Sequence, residues 1–144
     1  MHILMCNDDG ILADGLRHLA SYLSQYYRIT VVAPANEQSA KSHALTTEVP
    51  LKLDACNGED ENPRLYALTG TPSDCMKFGL SYLLTDDMPD LVISGINHGF
   101  NLGSDVLYSG TVSAAMESGF YGIPGLALSV ERYSVERGDE MHPF

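Results

Sequence analysis

Basic residues are scarce in this 144-residue chain: eight Lys and Arg stand against nineteen Asp and Glu, a formal net charge of −11. No run of Lys or Arg exists to follow a phosphate backbone, so long nucleic acids are excluded as partners. Long apolar runs are missing too. No stretch approaches the ~18 residues that would cross a bilayer, and the start, MHILMC, lacks the charged and apolar segments of a secretory signal. A cytoplasmic protein that binds no membrane is the expectation. Cysteine is limited to Cys6, Cys56 and Cys75. That number and spacing fit neither a zinc site nor a disulfide framework, so all three are read as small buried residues. Internal repeats and low-complexity segments are absent.

What remains has the size and apolar content of one domain, residues 1–144. An acidic protein that binds a small anion needs a local source of positive potential, either a metal ion or the N–H groups at a helix start. Apolar strands are predicted at 2–7, 29–33 (stopped by Pro34), 48–54, 64–68, 90–94 and 124–130. Between them, Leu16, Leu19, Ala20 and Leu23 follow helical spacing, with Asp14 as N-cap. Thr71-Pro72-Ser73-Asp74 is a capping box with proline at the first helical position, and Met76, Gly79, Leu80 and Leu83 supply that helix's apolar face. A third helix is expected near 111–121, with Val112, Ala115, Met116 and Gly119 turned inward. Strands alternating with helices predict a three-layer α/β fold, an open and mostly parallel sheet covered on both faces. Two long loops, 34–47 and 95–110, follow strand ends, where open α/β sheets bind ligands.

The chemistry-bearing residues gather at those ends. Asn7-Asp8-Asp9-Gly10 sets two adjacent carboxylates at the end of the first strand. Such a pair suits a hard cation such as Mg²⁺, Mn²⁺ or Ca²⁺, or forms an ordinary turn. Both carboxylates can reach one ion only if the chain is already bending there. Ser39 offers a hydroxyl on the second loop. In the third, Asn97 and Asn101 bring amide groups among glycines that allow close backbone approach. Ser109-Gly110-Thr111 opens a helix whose free N–H groups suit phosphate, with capping by Ser109 or Thr111 as the competing role. His98 is read as solvated.

NDDGILADG (7–15), VVAPANEQSAKSHALT (31–46), GTPSDC (70–75) and the long block from Pro89 to Ser129 stand in the order of a known family. The chain resembles the SurE, or stationary-phase survival, proteins, metal-dependent nucleotidases with a Rossmann-like fold. The resemblance implies a phosphomonoesterase that hydrolyses 5′- or 3′-nucleoside monophosphates to nucleoside and phosphate by metal-activated water attack. It places one divalent ion, Mg²⁺ or Mn²⁺, on Asp8, Asp9, Ser39 and Asn97, and the phosphate at Asn101 and Ser109-Gly110-Thr111. Asp8 or Asp9 would take the water's proton. A homodimer or homotetramer is implied as well. Family chains are longer and carry a C-terminal extension, so the expectation for this chain is either a fragment or an obligate oligomer. Two alternatives stay open. One is a truncated form that binds metal and phosphate with little turnover. The other is a phospho-accepting receiver module, which the Ser94-Gly95 strand end and the lack of any lysine after Lys77 disfavour.

Overall fold

A computed structural model describes residues 1–38 and 41–131. Six strands form one sheet: β1 His2–Cys6, β2 Arg28–Pro34, β3 Leu53–Ala55, β4 Arg64–Leu68, β5 Leu91–His98 and β6 Gly125–Val130. Their order across the sheet is β3-β4-β2-β1-β5-β6. Every pairing is parallel except β3 with β4. The central strand β1 pairs on both sides, Ile3 opposite Ile29 and Leu91. Side chains alternate between the two faces along such a strand. Ile3, Met5, Ile29, Val31 and Ala33 therefore meet Leu16 and Ala20 of α1, Asp14–Leu23, on one side. Leu4, Cys6, Val32 and Val92 meet Cys75, Met76 and Leu80 on the other. That second layer is α2, Pro72–Phe78, which widens into a π-helical turn at Gly79–Leu83, and α3, Gly110–Gly119, which adds Ala114. The Rossmann-like α/β architecture expected from the sequence is present.

Several details differ from the sequence reading. Ala13, not Asp14, is the N-cap of α1, without a side-chain bond; Asp14 opens the helix, where its charge favours the dipole. Of the expected 48–54 strand only Leu53 and Asp54 pair with β4, and the pairing runs on to Ala55. Pro50 has no N–H for a ladder, and the Lys52 N–H donates to Thr69 Oγ1 at 2.8 Å. β5 runs on to His98 past an irregularity between Ser94 and Asn97. There Gly95 has φ +126°, and a Cβ would meet Leu128 O at 2.3 Å. The expected loop 95–110 thus holds strand, then a 3₁₀ turn at Gly103–Leu107. Cys6 and Cys75 are buried, and burial pushes the Cys75 thiol up. Cys56, however, is exposed.

The α3 face is the largest correction. Its buried residues are Gly110, Thr111, Ser113, Ala114, Glu117 and Ser118, while Met116 is 57% exposed. Apart from Glu117, small residues fill the inward face, where the neighbouring backbone is close. A Cβ on Gly125 of β6 would lie 2.2 Å from Ala115 O. Close packing of this kind leaves no volume for Met116.

The capping box at α2 is formed as predicted: Asp74 N–H donates to Thr71 Oγ1 at 3.1 Å, and Thr71 N–H to Asp74 Oδ2 at 2.9 Å. It also has a wider use. The buried Asp74 carboxylate accepts from Thr46 N–H at 3.0 Å and Thr46 Oγ1 at 2.6 Å, and Thr71 Oγ1 donates to Ala44 O at 2.6 Å. Asp74 thereby fastens the loop after β2 to α2. Gly70 is required beside it, since a Cβ would lie 2.8 Å from Asp74 Oδ2. Asp74→Ala strands three donors and should cost ~3 kcal/mol, a fall in Tm on the order of 10 °C. Thermal unfolding checks this; an unchanged Tm would show that the loop is not held through this carboxylate.

Candidate active site

The carboxyl ends of β1, β2, β4 and β5 lie on one edge of the sheet, with the start of α3. β1 stops at Cys6 because Asn7 turns the chain. The Asn7 side chain is fully buried, and its Nδ2 donates to Gly10 O while its Oδ1 accepts Gly10 N–H, each at 3.1 Å. Gly10 takes φ +102°, a conformation that suits glycine. The chain is therefore bending where Asp8 and Asp9 leave it, as sharing one ion requires. Two backbone bonds tie this turn to the loop after β2: Ile11 N–H to Pro34 O at 2.8 Å and Gln38 N–H to Asp8 O at 2.7 Å.

Asp8 is the centre of the arrangement. Only 6% exposed, it accepts a 2.6 Å hydrogen bond at Oδ1 from the Thr111 hydroxyl. Its other oxygen faces Gly110, where a Cβ would lie 3.2 Å from Oδ2 and 2.9 Å from the Asp8 Cβ. No other residue fits at 110 without displacing the carboxylate or Pro72, itself 3.2 Å away. Ser109 is the N-cap of α3, its Oγ accepting Val112 N–H at 3.1 Å. Of the two candidate caps, then, Ser109 caps the helix and Thr111 holds Asp8.

The other sequence candidates are arranged as follows. Asp9 stands next to Asp8 on the turn, partly buried. Asn97 sits at the end of β5 opposite Ser129; its Nδ2 donates to Gly99 O at 2.8 Å, which leaves Oδ1 as an oxygen donor. Asn101 Nδ2 is directed to Ser129 Oγ on β6 at 2.7 Å. Ser39 lies outside the described residues. His98 is exposed at the strand end. Among the described residues no three His, Cys, Asp or Glu side chains cluster. The donors at hand are carboxylate and amide oxygens, with a cradle at Gly110 that a Cβ would fill. That chemistry fits a hard divalent cation.

Two groups escaped the sequence reading. His43 Nε2 meets the buried Glu117 Oε2 of α3 at 2.6 Å, and Ser42 Oγ donates to Leu107 O at 2.8 Å. With Asp74 they strap residues 42–46 across α2 and α3. A buried Glu in a helix otherwise lined by small residues was the available signal. A cavity of about 730 Å³ lies at the opposite, amino ends of the strands around His2, Arg28 and Asp87. Its polar groups bind one another: His2 to Asp90, Asp87 and Thr30, and Arg28 to Asp87. Burial and then the Arg28 charge push the His2 ring below its ordinary value. It is far from the paired carboxylates and is not the site.

Known proteins resemble this chain in sequence and in fold. The family model described as survival protein SurE matches residues 3–143. The chain is 54% identical over 129 residues to the 5′-nucleotidase SurE of Thermoanaerobacter sp. (strain X514), covering 90% of this chain and 50% of that one. It is 50% identical over 130 residues to the enzyme of that name from Vibrio vulnificus (strain YJ016), covering 90% and 49%. The crystal structure of SurE protein from Aquifex aeolicus superimposes with a TM-score of 0.77 at 43% identity, over 90% of this chain and 50% of that chain. The chain thus spans about half the length of the curated relatives it matches. With the family model matching residues 3–143 of this chain and the same fold in a solved relative, this chain belongs to the SurE family.

Proposed function

We propose that this chain carries the metal and phosphate site of a 5′/3′-nucleotidase, a phosphoric monoester hydrolase acting on nucleoside monophosphates in the cytoplasm. The observation that carries the reading is the buried Asp8 carboxylate, bonded to Thr111 at the start of α3. It joins a cation-binding group to a set of N–H donors suited to phosphate. The names of the relatives supply the substrate class.

Asp8, Asp9 and the Asn97 amide oxygen, with Ser39, are the groups that would hold one Mg²⁺ or Mn²⁺. When bound, such an ion neutralises phosphoryl charge and makes water more acidic. The remaining work falls to the protein. Thr111 fixes which Asp8 oxygen is free, and Ser109 keeps the helix start ordered. The open N–H groups beside Gly110 receive phosphoryl oxygens, and the bareness of Gly110 lets them approach. Asn101 stands by as a further donor, once it exchanges Ser129 for substrate. Asp8 or Asp9 accepts the proton of the attacking water. Stabilising charge on the phosphoryl oxygens in this way is the main source of acceleration in such sites.

Homodimers or homotetramers belong to the same proposal. Leu126 on β6, the edge strand among the described residues, is 46% exposed, and Met116 and Phe120 on α3 are 57% and 77% exposed. A neighbour covering this edge would remove apolar area and unpaired strand groups from water. The alternative reading is a form that binds metal and phosphate with little turnover. Binding and turnover are therefore measured separately below.

Phosphate release from a nucleotide panel is expected with Mg²⁺ or Mn²⁺ and should vanish in excess chelator; persistence there would refute the metal assignment. Asp9→Asn should lower turnover at least ~100-fold with an unchanged circular dichroism spectrum, and near wild-type rates at limiting metal would remove Asp9 from the site. Thr111→Val should weaken Mn²⁺ binding by roughly 10-fold and cost roughly 1–3 kcal/mol of stability, because the buried Asp8 oxygen loses its donor while Ser109 still caps α3. A lowered Tm with unchanged Mn²⁺ affinity would return Thr111 to a purely structural role. Sedimentation over a dilution series reports the oligomer, and a stable monomer without dye-binding apolar surface would count against it.

A further inference from the structure

A second, smaller cavity of about 250 Å³ adjoins the candidate active site between the ends of β2 and β4. Its walls are Asn36 and Gln38 on one side and Thr69, Gly70 and Thr71 on the other, with Leu68 among the residues that line it. The lining carries no charged side chain, which is unusual in a protein of net charge −11. Both walls are continuous with the carboxylate cluster. Gln38 N–H is bonded to Asp8 O at 2.7 Å, and a Cβ on Gly10 would touch the Asn36 backbone at 3.4 Å. Across the cavity, Thr71 leads into Pro72, which packs 3.2 Å from the Cβ position of Gly110. The cavity and the Asp8–Gly110 cradle are thus bounded by neighbouring parts of the same two segments, Asn36–Gln38 and Thr71–Pro72.

The threonines are already committed: Thr69 Oγ1 accepts Lys52 N–H, while Thr71 and Thr46 bind Ala44 and Asp74. The side-chain amides of Asn36 and Gln38 have no hydrogen bond among the described residues. An amide presents a donor beside an acceptor, the pattern that pairs bidentately with the edge of a nucleobase. A neutral, amide-rimmed volume somewhat below the ~300 Å³ of the smallest ordinary ligand pockets suits a flat uncharged ring system and offers no cation to a second phosphate. We propose that this cavity takes the nucleoside part of the substrate, with Asn36 and Gln38 reading the base while the phosphate lies at Gly110–Thr111. The inference rests on the nucleotidase reading and names the part of that site which selects nucleotides over other phosphomonoesters.

The test compares AMP with ribose 5-phosphate, which lacks the base, in the unaltered chain, Gln38→Leu and Asn36→Leu, alongside calorimetric binding of adenosine without metal. Both substitutions alter partly or fully exposed side chains and leave the Gln38–Asp8 backbone bond in place. The expected result is a fall of at least ~10-fold, one good hydrogen-bonded contact, in the ratio of kcat/KM for AMP to that for ribose 5-phosphate, with a matching loss of adenosine affinity. An unchanged ratio in both variants overturns the assignment, and so does a parallel fall on both substrates, which would place these residues in the phosphate site. If the unaltered chain hydrolyses neither ester, the nucleotidase reading fails separately and adenosine binding decides. Binding that the substitutions weaken supports the nucleoside cavity, and absence of binding overturns it.

Discussion

The buried Asp8 carboxylate is the constraint on which the active edge depends. A carboxylate taken out of water costs several kcal/mol unless charge-stabilising partners replace its hydration. Here those partners are the hydroxyl of Thr111, 103 residues away in sequence, and the positive end of α3. The bond locks the first strand to the third helix, and much nearby structure serves it. Asn7 bends the chain so that Asp8 leaves the sheet, and Gly110 is bare so that the helix can close on it. Ser109 rather than Thr111 caps the helix, which leaves the threonine hydroxyl for Asp8.

The same solution recurs where loops must be held. Among the described residues none of the three buried carboxylates Asp8, Asp74 and Glu117 is paired with Lys or Arg. Asp74 is satisfied by backbone N–H and hydroxyl donors from Thr46 and Thr71, and Glu117 by His43. A chain with so few cations neutralises buried acids with dipoles, and its exposed Lys52–Asp54 and Arg28–Asp87 pairs contribute little. The strap at 42–46 consequently rests on two buried acids, one on each helix that flanks the site.

Fold class, the five parallel strands and the α2 capping box were legible because each rests on local pattern: short β-branched runs, Thr71-Pro72 and the spacing of Met76, Gly79 and Leu80. The acidic pair and the helix start at Ser109-Gly110-Thr111 were legible as chemistry at strand ends. What escaped depends on tertiary contact. The inward face of α3 was misread because Met116 looked like core, whereas the buried positions hold small residues and the His43-bonded Glu117. Residues 48–52 looked like a strand, yet Pro50 and the Thr69 hydroxyl took them out of the ladder. The division of labour between Ser109 and Thr111 could not be read from sequence, since either hydroxyl can cap. Nor could the His43–Glu117 contact, whose partners lie 74 residues apart.

If Asp8 and the start of α3 form one site, metal and phosphate must feel each other. The direct measurement is the affinity of the chain for Mn²⁺, followed by calorimetry or electron paramagnetic resonance, with and without saturating inorganic phosphate. Linkage requires that the two ligands shift each other's affinity by the same factor. The predicted result is Mn²⁺ binding tightened at least ~5-fold by phosphate, with an equal effect of Mn²⁺ on phosphate. Mn²⁺ affinity that is the same with and without bound phosphate would contradict a shared site at Asp8 and Thr111.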